Sequence, residues 1–105
     1  MAPKLQAVDI VLELVLTATP EVNLINNVKA SLEAKLDSYK IGEDLEYADL
    51  VKYIYVDYNT GLAFSGIDDV SSFSLVCKSS TITGFGQKVI FDKDERLEPG
   101  TISIS

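Results

Sequence analysis

The sequence has no histidine and only one cysteine among its 105 residues. The absence of histidine removes the commonest general base and the commonest metal ligand, and it excludes a Ser–His–Asp triad. One cysteine cannot form an internal disulfide or supply the usual structural zinc sets. Because Cys77 lies in an alternating segment, we expect it to be a small buried hydrophobic side chain rather than a nucleophile.

Motifs for nucleotide binding are also absent. The segment Gly84-Phe85-Gly86 is too short for a dinucleotide fingerprint, and no phosphate-loop lysine motif occurs. Carboxylates remain, in two runs: Glu43, Asp44 and Glu46, and then Asp92, Asp94 and Glu95. Neither run has the spacing of a calcium loop, so we interpret both as solvated turns, the first with a helix cap. We predict no catalytic residue, metal or cofactor; an enzyme would require a metal bound at the second run.

The formal net charge of −7 excludes a further set of partners. An acidic surface repels phosphate backbones and anionic membranes, so we expect neither nucleic acid nor membrane as a partner. No apolar run approaches the roughly 18 to 20 residues of a membrane-spanning helix, and the N-terminus lacks the features of a signal peptide. The sequence therefore predicts a soluble protein that stays inside the cell unless a larger assembly carries it elsewhere.

The length and composition are those of one globular domain, which we expect to span residues 1–105. Apolar residues make up 47% of the chain and charged residues 24%, which argues against disorder. A strand pattern begins almost at once, and the chain stops on another alternating pattern in residues 101–105. From these two ends we expect the chain to be a domain cut from a longer polypeptide.

Hydrophobic periodicity predicts the element order β-α-α-β-β-β. Residues 7–17 alternate as a strand, with Val8, Ile10, Leu12, Leu14 and Leu16 toward the core. A helix is predicted from the Thr19-Pro20-Glu21 start to Tyr39, with a stop at Gly42. A second helix is predicted over residues 47–58.

Three more strands are predicted after the helices, over residues 70–78, 88–91 and 100–105. The polar residues 79–86 predict a long loop, and residues 92–99 predict a charged turn. The fold class is therefore α+β: a small, mostly antiparallel sheet with two helices packed on one face, and the last strand at an edge.

Four apolar side chains fall outside the predicted core faces and are candidates for a subunit contact. Val11 and Val15 lie on the charged face of the first strand, and Tyr53 and Tyr55 lie off the apolar stripe of the second helix. The contact could be with a second copy of the chain or with another protein. The other interpretation of the tyrosines is that they belong to the core, with only their hydroxyl groups exposed.

Short segments along nearly the whole chain resemble one known family. They are residues 8–12 (VDIVL), 17–20 (TATP), 28–32 (VKASL), 39–45 (YKIGEDL), 49–54 (DLVKYI), 66–70 (GIDDV) and 97–102 (LEPGTI). In this order they resemble the C-terminal domain of the baseplate J-like proteins of contractile-tailed phages and related injection machines. In that family a long helix similarly ends in a glycine-containing bend before a second helix, and a Glu-Pro pair precedes a closing strand.

The resemblance implies a structural function. It implies a wedge component of the tail baseplate, whose C-terminal domain contacts other wedge or hub proteins or a second copy of itself. The implied location is the virion baseplate, or the cytoplasm of a cell that carries the prophage. The alternative is a small regulatory or ligand-binding module of ferredoxin-like type, with the loops around Gly61, Gly66 and Gly84 lining a pocket.

Overall fold

The computed structural model describes residues 3–105, which form a four-stranded sheet, two helices and a separate two-stranded sheet. The elements in chain order are β1 (Lys4–Leu16), α1 (Leu24–Asp37), β2 (Leu45–Glu46), α2 (Tyr47–Tyr55), β3 (Ile67–Cys77), β4 (Ser80–Ile82), β5 (Lys88–Val89) and β6 (Glu95–Ile104). The predicted α+β class is confirmed. In the described part of the chain, no helix is both long and apolar enough to cross a membrane.

β1 is an interior strand of the main sheet, whose strand order is β4-β3-β1-β6. It pairs antiparallel with β3 and parallel with β6, while β4 adds to β3 in the antiparallel sense. The sheet is therefore mostly antiparallel with β6 at an edge, as predicted. The order differs from the ferredoxin-like β-α-β-β-α-β pattern, because both helices here precede β3.

The alternation of β1 separates a buried face from an exposed one. Val8, Ile10 and Leu12 are fully buried, as the sequence predicts. They belong to one core with buried residues of β3 and both helices: Phe73, Leu75, Cys77, Leu24, Val28, Leu32, Leu36, Leu50 and Ile54. The predicted packing of two helices on one face of the sheet is therefore present.

The first helix begins later than the sequence predicts. The sequence predicts that the helix starts at residues 19–21, but α1 begins at Leu24. The segment before it is instead bound to the loop that precedes β3. The Glu21 N–H donates to the Ser65 carbonyl (3.0 Å), and the Glu21 carboxylate accepts from the Ser65 N–H (2.7 Å). These two hydrogen bonds hold residues 19–21, the predicted start of the helix, in a non-helical connection.

Both helices also end earlier than predicted. α1 ends at Asp37 rather than near Gly42, and Arg96 of β6 donates to the carbonyls of Asp37 (3.0 Å) and Tyr39 (3.1 Å). The bond to Asp37 satisfies a carbonyl group that the end of a helix leaves unpaired, and the bond to Tyr39 holds the segment that follows. α2 ends at Tyr55, three residues before the predicted end at residue 58. Val56 is extended and forms an isolated antiparallel β-bridge with Ala63.

The second half of the chain contains more strands than the sequence predicts. The expected loop 79–86 contains β4, which follows β3 after a tight turn in which Lys78 and Ser79 have φ of 53° and 65°. Of the strand predicted at 88–91, only β5 forms, and it pairs with β2 rather than with the main sheet. The charged turn predicted to reach Pro99 ends sooner, because β6 starts at Glu95.

Candidate functional site

The main sheet has an outer face, defined here as the side opposite the two helices. Val11 and Val15 of β1 lie on it with 48% and 43% of their surface exposed. The β1–β3 register places Val76, also exposed, beside Asp9 on this same face. Leu5, near the start of β1, is 53% exposed. The outer face is therefore partly apolar, with the exposed carboxylates of Asp9 and Glu13 alternating with Val11 and Val15 along β1.

Tyr53 and Tyr55 do not share that face, and they do not share a surface with each other. Tyr53 is half-buried, and its ring meets the ring of Tyr58 edge-on with 5.0 Å between centroids. The ammonium of Lys52 lies 5.4 Å from its ring centre. Tyr55 is 40% exposed and faces β3. The structure therefore divides the four predicted contact residues among three places, with only Val11 and Val15 together.

An aromatic groove lies between α2, β3 and the loop after β4. Its volume is about 280 Å³, and its walls are Tyr47, Val51, Ile54, Tyr55, Asp69, Val70, Phe73 and Phe85. The ring of Tyr47 lies 5.1 Å from that of Phe73 and 5.4 Å from that of Phe85, between centroids. Burial and then the neighbouring Tyr55 raise the pKa of the Tyr47 hydroxyl.

The predicted glycine-lined pocket has a different form in the structure. A second cavity, of about 250 Å³, lies beside the loop around Gly61 and is lined by Glu21, Asp57, Thr60, Leu62, Ala63 and Phe64. Gly66 packs against Pro20 instead of lining either cavity. The predicted loop around Gly84 does border a cavity, because its residue Phe85 forms one wall of the aromatic groove.

Two carboxylates of the first run accept hydrogen bonds from the backbone. Asp44 and Glu46 are the two predicted candidates for the cap of the second helix. Glu46 is at the N-cap position without a side-chain cap hydrogen bond, and Asp44 accepts from the Phe91 N–H at 2.8 Å. Glu43 accepts from the Lys40 N–H at 2.9 Å. Within residues 3–105, no group of three or more cysteine or carboxylate side chains is placed to hold a metal ion. Cys77 is buried, and this burial raises the pKa of its thiol to about 11.

Glu95 is the centre of a buried polar cluster that the sequence does not predict. Its side chain accepts hydrogen bonds from the ammonium of Lys78 (2.6 Å), the amide of Gln6 (2.8 Å) and the Asp92 N–H (2.9 Å). These bonds, first among them the one from Lys78, lower the pKa of Glu95, and the same bond raises the pKa of Lys78. The cluster joins the starts of β1 and β6 to the turn between β3 and β4, so its role is structural.

The lowered pKa of Glu95 makes the stability of the fold depend on pH. The carboxylate stabilises the folded state above the unfolded-state pKa of about 4.3, and this contribution is lost as pH falls through the lower folded-state pKa. We expect Glu95→Gln to lower the free energy of unfolding at neutral pH. The difference from wild type should shrink as the pH falls below the pKa of Glu95 in the folded state. Urea denaturation from neutral to acidic pH measures both effects.

The matched control for Glu95 is Asp94→Asn. Asp94 also pairs with a lysine, Lys4 at 3.6 Å, but both side chains are more than half exposed. Exposed pairs contribute little to stability, so the control should stay within about 0.5 kcal/mol of wild type. Equal effects of the two substitutions would contradict the role given to the buried cluster.

Comparisons of the chain with protein-family models, with curated proteins and with solved structures find no match. The resemblance to baseplate J-like domains therefore stays a prediction.

Proposed function

We propose that this chain is a structural assembly domain of a contractile-tail baseplate, of the baseplate J-like kind, and not an enzyme. It acts by binding other wedge or hub proteins, or a second copy of itself, through the outer face of the main sheet. It is then part of the virion baseplate, or of the cytoplasm of a prophage-carrying cell before assembly. The observation that supports this proposal most is the exposure of Val11 and Val15 on an interior strand of the main sheet.

Interior strands with one face open to water normally carry polar side chains on that face. β1 departs from this pattern, because two exposed valines alternate with Asp9 and Glu13 on its outer face. A protein partner over this face would remove the valines from water and leave the carboxylates at a polar rim.

The first test is the gene neighbourhood. We expect genes for a tail sheath, a tube and a spike to flank the coding sequence, because baseplate components are made together with the tail that they join. A neighbourhood that holds none of these genes contradicts the baseplate assignment, whatever the sheet face binds.

The second test changes the outer face itself. The double variant Val11→Lys, Val15→Lys is expected to weaken binding by about tenfold or more, because charging central contact residues usually has effects above 1 kcal/mol. Self-association is measured by light scattering of the purified protein. Binding to the products of adjacent wedge and hub genes is measured by co-purification after co-expression.

The matched control places two lysines on exposed apolar positions away from the sheet. Val22 and Leu62 are 84% and 70% exposed, and the double variant Val22→Lys, Leu62→Lys is expected to bind as wild type does. Melting temperatures of both double variants show whether the fold is intact. If folded protein binds equally well with and without the lysines at 11 and 15, the outer face is not the contact surface.

A further inference from the structure

The aromatic groove has a chemical composition suited to one class of ligand. Tyr47, Tyr55, Phe73 and Phe85 supply four aromatic rings, and Asp69 is the one charged side chain in its walls within the described chain. The rings of Tyr47 and Phe85 stand at 82° to each other, so their faces point in different directions. Aromatic faces carry partial negative charge and attract cations placed over them.

Asp69 adds a full negative charge at the side of the groove. Its carboxylate accepts from the adjacent Val70 N–H at 2.8 Å, and it forms no ion pair with a lysine or arginine among residues 3–105. No basic side chain of the described chain lines the groove, so the protein itself supplies no cation there. The net charge of −7 further favours the approach of positive ligands.

We propose that the aromatic groove binds the methylated ammonium group of a small organic cation, with choline as the simplest example. Methyl groups remove the N–H donors that keep a primary ammonium hydrated, so the group can leave water and contact aromatic faces while it keeps its charge. A groove of about 280 Å³ has room for a head group of this size. The inference does not rest on the assembly function, although the groove and the outer face meet at Asp69, whose register partner in β1 is Val15.

The test compares choline with its neutral isostere, 3,3-dimethylbutan-1-ol, in which carbon replaces the charged nitrogen. We expect saturable binding of choline in about the millimolar range, followed by the NMR signals of the groove side chains. The neutral alcohol should bind about fivefold more weakly or worse, since it lacks the cation–π and charge contributions. Equal binding of the two compounds, or no saturable binding of choline, would overturn the proposal.

Single variants then locate the site. Phe85 is 73% exposed, so Phe85→Ala should leave the fold intact and weaken choline binding about threefold or more. Asp69→Asn keeps the acceptor for the Val70 N–H, removes the charge and should weaken binding by a similar factor. The control is Asp68→Asn, because Asp68 is the neighbouring exposed carboxylate and does not line the groove. If Asp68→Asn weakens binding as much as Asp69→Asn, the attraction is a general charge effect and the proposed site is wrong.

Discussion

Replacing Gly66 with alanine is expected to lower the free energy of unfolding by about 3–5 kcal/mol. Gly66 has a φ of 109°, in a region of backbone space that is essentially restricted to glycine. A Cβ built on it overlaps the Cα of Pro20 and lies 2.6 Å from the Cβ of Pro20. Because Pro20 is held by the hydrogen-bonded segment before α1, neither side can move without breaking that connection.

Gly61 provides the control for this substitution. It also has a positive φ, of 74°, but a Cβ built on it meets nothing within 4 Å. Gly61→Ala should therefore show the backbone strain alone, about 1–2 kcal/mol. Urea denaturation of both variants separates strain from overlap. If the two substitutions have equal effects, the close approach of Gly66 to Pro20 does not contribute to stability.

The second large effect is expected at Ser31, a fully buried polar residue of α1. Its hydroxyl donates to the Tyr53 carbonyl (2.9 Å), with the Val56 carbonyl also in range (3.2 Å), and accepts from the Tyr58 N–H (2.9 Å). Ser31→Val leaves the Tyr58 N–H and the carbonyls of Tyr53 and Val56, at the end of α2, without their hydrogen-bond partner. We expect a loss of about 2–4 kcal/mol, and a smaller loss for Ser31→Ala, which adds no volume.

Ser38 offers the comparison for Ser31. Its hydroxyl also bonds a backbone carbonyl, that of Lys35 at 2.6 Å, but the residue is exposed and water can replace the bond. Ser38→Ala should change stability by no more than about 0.5 kcal/mol. Thermal and urea unfolding of the three serine variants measure the ranking. A Ser31→Val protein as stable as wild type would show that the hydroxyl is not needed to hold α2.

The parts of the fold that the sequence predicts are those with a local signal. The alternation in β1 identifies Val8, Ile10 and Leu12 as buried and Val11 and Val15 as exposed. It is wrong at Leu16, which is 39% exposed, because the pairing of β1 with β3 shifts register after Glu13 and again after Val15. The apolar stripe of α2 identifies Leu50 and Ile54 as core. Each of these predictions depends on neighbours a few positions away, so single-sequence periodicity is sufficient.

The parts that the sequence does not predict depend on contacts between distant residues or on unusual turn chemistry. Both central residues of the β3–β4 turn have positive φ, a conformation usually taken by Asn-Gly or similar pairs, and Lys78-Ser79 gives no such signal. The Glu95 cluster joins positions 17 and 89 residues apart. The aromatic groove likewise needs α2, β3 and Phe85 to meet, which no local pattern indicates.

The parallel partnership of β1 and β6 has a consequence for how the protein is made. On the side of β1 that faces β6, the backbone groups from Lys4 onward have no strand partner until the residues from Glu95 onward have been made. During synthesis at the ribosome, one side of β1 therefore stays without its neighbour until almost the whole described chain has emerged. Pairings so distant in sequence slow folding and prolong exposure of strand edges that can aggregate. The addition of β6, which follows every other described strand in sequence, thus completes the main sheet.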